Sequence, residues 1–336
     1  MKKNILAIAI ASAVAAPVAM ADAPKVYGQM NLAIDNITDK GMNVVHRNSR
    51  VGVKGSEDLG NGLKAVYQAE GTIGNGANFN GAANTANNFG FDRNTFAGLA
   101  GGFGTVVMGR HDTPLRMIQP SDGFADSAVA GNNTSRFNGF ADTTGAGNAS
   151  GEDRLNNVLA YLSPNFNGIS FAVAGVSVPA QNKDATITNA LSYTVAYGTK
   201  KSGIYVAAGM TTVDKKVDER SNMRVTAQYN EGGLLASFMY NDIDRKADAQ
   251  VKGNSMTAGV AYKMGAITPR AKVAMISYSN GTDKSSQSMA VGADYALGKT
   301  TRVYAEFASV DKNNRANNWS AGKDVTAMSV GFFHKF

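Results

Sequence analysis

The chain contains no cysteine among its 336 residues. Disulfide cross-links, thiolate nucleophiles and cysteine-bound zinc are excluded with it. Histidine is scarce: His46, His111 and His334 are the only three, and they stand far apart in sequence. No serine sits in a nucleophile-elbow motif, so no catalytic residue is assigned and no enzyme is expected. Carboxylates show no metal-ligand spacing; Asp214, Asp218 and Glu219, like Asp242 and Asp244, read as solvated loop charges, with structural calcium as the alternative. The run Gly145-Ala146-Gly147 lacks the strand-to-helix setting of a phosphate loop, so neither metal nor cofactor is expected. The single tryptophan, Trp319, falls in a polar connection, which leaves little material for an aromatic substrate track. Past residue 21, no apolar run reaches the roughly 20 residues that a spanning helix needs.

One apolar run is present at the start. Lys2 and Lys3 precede Ile5 to Val18, and Ala19-Met20-Ala21 follows with small residues at the positions a signal peptidase reads. Residues 1–21 are therefore expected to be a secretory signal peptide, with the mature chain beginning at Asp22. Its removal leaves 315 of the 336 residues and, with two lysines gone, lowers the formal net charge from +7 to +5. An exported chain without a spanning helix crosses a membrane only with strands. The 33 basic residues are dispersed along it, so no nucleic-acid partner is expected.

Strand periodicity is abundant. Leu191, Tyr193, Val195 and Tyr197 share one parity against Ser192, Thr194, Ala196 and Gly198. Met223, Val225, Ala227 and Tyr229 oppose Arg224, Thr226, Gln228 and Asn230, and Met256, Ala258, Val260 and Tyr262 oppose Thr257, Gly259, Ala261 and Lys263. Alternation continues to the last residue, with Met328, Val330, Phe332, His334 and Phe336 on one face. About 16 such segments are predicted. They lie near 26–37, 42–55, 63–73, 92–101, 104–112, 155–163, 168–177, 190–199, 203–212, 221–230, 233–242, 254–264, 268–278, 287–296, 300–310 and 323–336. Short connections such as Asp58-Leu59-Gly60-Asn61-Gly62 and Glu231-Gly232-Gly233 alternate with long Asn/Gly-rich ones. The pattern predicts an all-β fold: a transmembrane antiparallel up-and-down barrel, apolar outside and polar inside. A soluble sandwich or propeller would explain the alternation but not the export signal, the aromatic terminal strand and the two loop sizes together.

Five blocks resemble the general porins of Gram-negative outer membranes. Val26-Tyr27-Gly28-Gln29-Met30-Asn31-Leu32 is similar to their opening strand. The stretch from Ser49-Arg50-Val51-Gly52-Val53-Lys54-Gly55 to Asn61-Gly62-Leu63-Lys64-Ala65 is similar to their most specific internal block. Phe96-Ala97-Gly98-Leu99 with Phe103-Gly104-Thr105-Val106-Val107-Met108-Gly109-Arg110 resembles the hairpin leading into their constriction loop. Asn157 to Phe166 resembles the strand and turn leaving it, and Gly331 to Phe336 their closing strand. The resemblance implies a 16-stranded barrel in the outer membrane, usually a homotrimer among lipid and lipopolysaccharide. Its third loop folds inward, and ions and small hydrophilic solutes diffuse through passively.

In such a pore, basic residues on the wall face acids on the inserted loop, and the field between them sorts solutes by charge. Arg50 matches a wall arginine of the family, and its parity with Gly52 and Lys54, against Val51 and Val53, independently points it to the lumen. Lys64 shares parity with Gln68 and Glu70. Arg93 and Arg154 fall on family-like wall positions. Arg110 follows Val106 and Met108 on the apolar face and is not placed in the lumen. The expected constriction loop, about 113–153, carries Asp122 and Asp126 around a Gly123-Phe124 bend that could turn carboxylates inward. The basic balance points to weak anion preference. A substrate-selective channel and an outer-membrane barrel enzyme are the alternative functions.

Overall fold

The computed structural model describes residues 23–73, 90–124, 154–177, 186–214, 219–245, 252–279, 285–314 and 323–336. Within them run β1 (Lys25–Ile37), β2 (Gly41–His46), β3 (Arg50–Gly60), β4 (Leu63–Thr72), β5 (Thr95–Gly101) and β6 (Gly104–Asp112). A short helix, α1 (Pro114–Met117), precedes β7 (Arg154–Leu162), β8 (Ile169–Val176), β9 (Ala190–Thr199), β10 (Ser202–Val213) and β11 (Arg220–Glu231). The remainder is β12 (Leu234–Arg245), β13 (Lys252–Tyr262), β14 (Ile267–Tyr278), β15 (Ser285–Ala296), β16 (Thr301–Val310) and β17 (Val325–Lys335). Apart from β2 and β3, which both pair with β1, each strand pairs antiparallel with its sequence neighbours, and β17 returns to pair with β1. The sheet is therefore a closed barrel, the arrangement that leaves no backbone donor or acceptor unpaired at an edge.

The seventeen strands make sixteen staves, because β2 and β3 are two pieces of one. Both pair with β1: His46 stands opposite Leu32, and Arg50 opposite Gln29. Three steps along β1 are thus matched by four along its partner, a one-residue bulge with Asn48 in the left-handed region at φ 50°. This corrects the single strand expected over 42–55. A bulge reverses side-chain parity, so Met42 and Val44 point outward before it and Val51 and Val53 after it.

The barrel is polar inside and apolar outside. Asn31, Asp35, Ser192, Arg224, Thr226, Asn241, Ser255 and Glu306 are buried on the inner wall, while Ile34, Val195, Val225, Met275, Met289 and Val330 are exposed on the outer one. A lipid-embedded barrel around water requires that inversion. Tyr197, Tyr229, Tyr262, Tyr295 and Phe336, all about half exposed, lie beside the short turns, where a membrane interface accommodates aromatics. Phe336 completes the seam: Gly28 N–H donates to its carbonyl at 3.0 Å, and its own N–H donates to the Gly28 carbonyl at 3.2 Å. Its ring occupies the space that a side chain at Gly28 would need.

Among the described residues, no helix is long and apolar enough to cross a membrane, which says nothing against strands. Residues 1–21 lie outside the described residues.

Candidate pore constriction

After β6 the chain turns into the barrel. Thr113 caps α1, accepting the Arg116 N–H at 3.3 Å, and Pro114 fits the first helical turn. Leu115 and Ile118 then bury against Tyr205 and Ala207 of β10. Further on, Phe124 packs on an inner apolar patch of Ala274, Ala290, Ala308, Val310 and Ala327. The segment 113–124 thus runs along the inner wall from β9 towards β14.

Polar wall residues fasten it. Lys200 Nζ donates to the Met117 and Gln119 carbonyls at 2.8 and 2.9 Å, and Arg224 donates to the Leu115 carbonyl at 3.2 Å. The Ser121 N–H donates to Gln228 at 2.8 Å, and Lys272 Nζ meets Asp122 at 2.8 Å. Lys272 and Arg270 also stand over the Phe124 ring, each 4.9 Å from its centroid. Asp122 is 2% exposed and the Lys272 side chain 0%. The carboxylate is closed against the wall rather than presented to the open channel. Asp126 and the rest of the expected loop to 153 lie outside the described residues.

Beside the loop's root, a basic group lines β3 to β7. Glu70 accepts from Arg93 in a short ion pair, from the Tyr27 hydroxyl at 2.9 Å, and lies 3.7 Å from Arg50. Asp112 pairs with Arg116 and Arg154, both at 2.9 Å. Asn94 joins the two halves: its side chain donates to Asp112 at 3.1 Å and accepts from Arg154 at 3.0 Å, and its backbone carbonyl accepts the Glu70 N–H at 3.0 Å. Among the described residues, four guanidiniums thus gather around two carboxylates. Arg50 and Arg116 retain 28% and 27% side-chain exposure. Lys64 is not part of this group: it stands exposed at the short-turn end of β4, opposite Asp58. Arg110 lies on the outer face, donating to the Asp92 carbonyl and to Asn156.

A second charged group occupies β14 to β17, β1 and the bulge. Arg47 reaches Asp35 in a short ion pair, Glu306 at 3.3 Å and Ser329 at 2.8 Å. Arg270 reaches Glu306 at 2.7 Å and Asp294 in another short pair, and Arg302 lies 3.3 Å from Asp294. Asp35, Ser329, Glu306, Gly292 and Arg270 form one register row across five staves. Arg270 reaches Glu306 across Gly292 of β15; a Cβ there would lie 2.7 Å from the Ala305 carbonyl oxygen and 3.2 Å from Glu306 Cγ. With Lys272 and Asp122, four cations meet four acids among the described residues.

Sequence reasoning brought Arg50, Arg93 and Arg154 forward, and all three stand together. It missed Arg47, Arg116, Arg224, Arg270, Lys272 and Arg302 as members of a site. Parity reports the inner face but neither height nor partner, and the charged partners on β14 and β16 lie more than two hundred residues from those on β1 and the bulge. Among the described residues, no group of three His, Asp or Glu could hold a metal ion.

The sequence profile of the Gram-negative porin family matches residues 7–315. Over 371 residues covering both proteins completely, the chain is 30% identical to the major outer membrane protein P.IB of Neisseria meningitidis serogroup B. Its fold superposes on an anion-selective porin from Comamonas acidovorans with a TM-score of 0.74, at 21% identity, covering 94% of this chain and 99% of that one. OmpT of Vibrio cholerae in its trimer form gives a TM-score of 0.65 at 16% identity, covering 94% and 100%.

Proposed function

The chain belongs to the Gram-negative porin family and forms a passive channel in the outer membrane, and from that premise we propose a homotrimer of weakly anion-preferring diffusion pores. The observation behind the anion preference is the gathering of Arg50, Arg93, Arg116 and Arg154 on one stretch of wall around Glu70 and Asp112. Fixed charge of one sign in a narrow, low-dielectric passage raises the local concentration of the opposite ion. Arg50, Arg93 and Arg154 are the constriction's selectivity residues in this reading. Lys64 contributes to the field from the short-turn mouth, and Asp122 fixes the loop's path while Asp126 supplies an opposing carboxylate further along it. Residues 1–21 act as the export signal, and outer-membrane lipid and lipopolysaccharide surround the apolar belt.

The test is the reversal potential of the purified protein in a planar bilayer across a KCl gradient. Anion preference predicts a shift of the chloride sign, moving towards cation preference in Arg50→Gln/Arg93→Gln. A wild-type reversal potential of the potassium sign, or one unmoved by the double substitution, overturns this assignment. The trimer predicts conductance steps that arrive in threes.

A further inference from the structure

The inner face below the constriction carries a feature that the arginine group does not use. Lys25 of β1 and Lys54 of β3 are directly opposed in register, and both are exposed. Lys25 shares inward parity with Tyr27 and Gln29, and Lys54 with Arg50 and Gly52. Directly opposed residues on one face of an antiparallel ladder have Cβ atoms about 5 Å apart, a distance at which like charges repel. Among the described residues, no acid forms an ion pair with either lysine. Lys54 instead places its ammonium 4.9 Å from the centre of the Tyr27 ring, and that ring's hydroxyl is occupied by Glu70. Gly52, beneath the ring, leaves room for it, since a Cβ there would lie 2.7 Å from the ring edge and hydroxyl. The tyrosine therefore holds Lys54 on the inner wall, facing its cross-strand partner. Both lysines lie on the short-turn side of Arg50, four residues further along β3 for Lys54.

We propose that Lys25 and Lys54 form a binding site for a small multiply charged oxyanion of the phosphate class, at the short-turn side of the pore and separate from the constriction arginines. The inference deepens the anion-preferring reading and rests on it. A divalent anion between two ammonium groups removes the repulsion that a chloride ion only halves, and Tyr27 keeps the geometry ready. A solute leaving the arginine group is thus met by a second cationic station along the same wall.

Inorganic phosphate is the probe, titrated on each side in turn against chloride current through the full-length protein in a zwitterionic bilayer, which removes anionic headgroups. Phosphate is expected to reduce the current saturably, with a lower half-blocking concentration from one side than from the other. Lys25→Gln or Lys54→Gln should each weaken that block by about tenfold, the size of one lost charge-assisted contact. The KCl reversal potential should move far less than in Arg50→Gln/Arg93→Gln. Lys299→Gln, in an exposed short turn, controls for diffuse charge. Absence of saturable block overturns the site, as does block unchanged in both lysine variants or weakened equally by Lys299→Gln. A chloride-sign reversal potential without phosphate block refutes this site and leaves the anion preference standing. A potassium-sign potential refutes that preference on its own.

Discussion

At the scale of single residues, Glu70 is the position where the charge balance is most sensitive. It is the common acid for Arg50, Arg93 and the Tyr27 hydroxyl. Glu70→Gln removes one negative charge and keeps the shape, so the local charge becomes one unit more positive. Anion preference should increase, moving the KCl reversal potential opposite to Arg50→Gln, and a bilayer measurement of both variants checks the sign. Arg50 was legible because it sits in a clean period-2 run beside glycine and valine, whereas Arg93 and Arg154 came forward only through the family resemblance and Arg116 did not come forward. Arg47 was not legible, although it is only three residues from Arg50. The bulge that turns it inward adds one residue to a polar stretch, His46 to Ser49, where hydrophobic alternation carries no signal. Asp35 and Glu306, which complete its surroundings, lie 12 and 259 residues from it.

At the scale of elements, strand and loop depend on different cations. The segment 113–124 is held by Lys200, Arg224 and Lys272, and the last of these is an ion pair with almost no solvent access. Lys272→Met leaves the Asp122 carboxylate buried without that partner. Breaking one side of a buried pair costs about 3–5 kcal/mol, so the loop should leave its wall position part of the time. Single-channel recordings should show larger open-state current noise, with Lys272→Arg closer to wild type. The strands predict a different failure at Gly292. A valine there crowds the Ala305 carbonyl and the Glu306 side chain to which Arg270 is paired, disturbing a network of acids on β1, β15 and β16. Gly292→Val should lower the thermal unfolding temperature of the detergent-solubilised barrel more than Gly292→Ala does. The stave boundaries were readable almost throughout, because lipid outside and water inside force alternation on every strand. The fastening of the loop was not, since backbone carbonyls accept from the wall without leaving a pattern in the sequence.

At the scale of the whole molecule, stability comes from closure. A closed barrel in lipid has no spare edge, and an unpaired backbone group in the hydrocarbon region costs several kcal/mol. The seam between β1 and β17 is the last to be made in chain order, and its register runs from Ile37↔Ala327 to Gln29↔Lys335. Phe336 extends it by two backbone hydrogen bonds to Gly28 and covers that glycine with its ring. The ring also stacks on His334, whose Nδ1 lies 2.8 Å from the Thr301 hydroxyl. Deleting Phe336 removes both bonds and the cover together, whereas Phe336→Ala removes only the cover. If closure limits stability, the deletion should lower the temperature at which the folded band disappears on a semi-native gel, and the alanine variant should fall between it and wild type. Equal losses in the two variants would assign the effect to the aromatic ring at the membrane interface; no loss in either would show that the seam is already secure at Lys335.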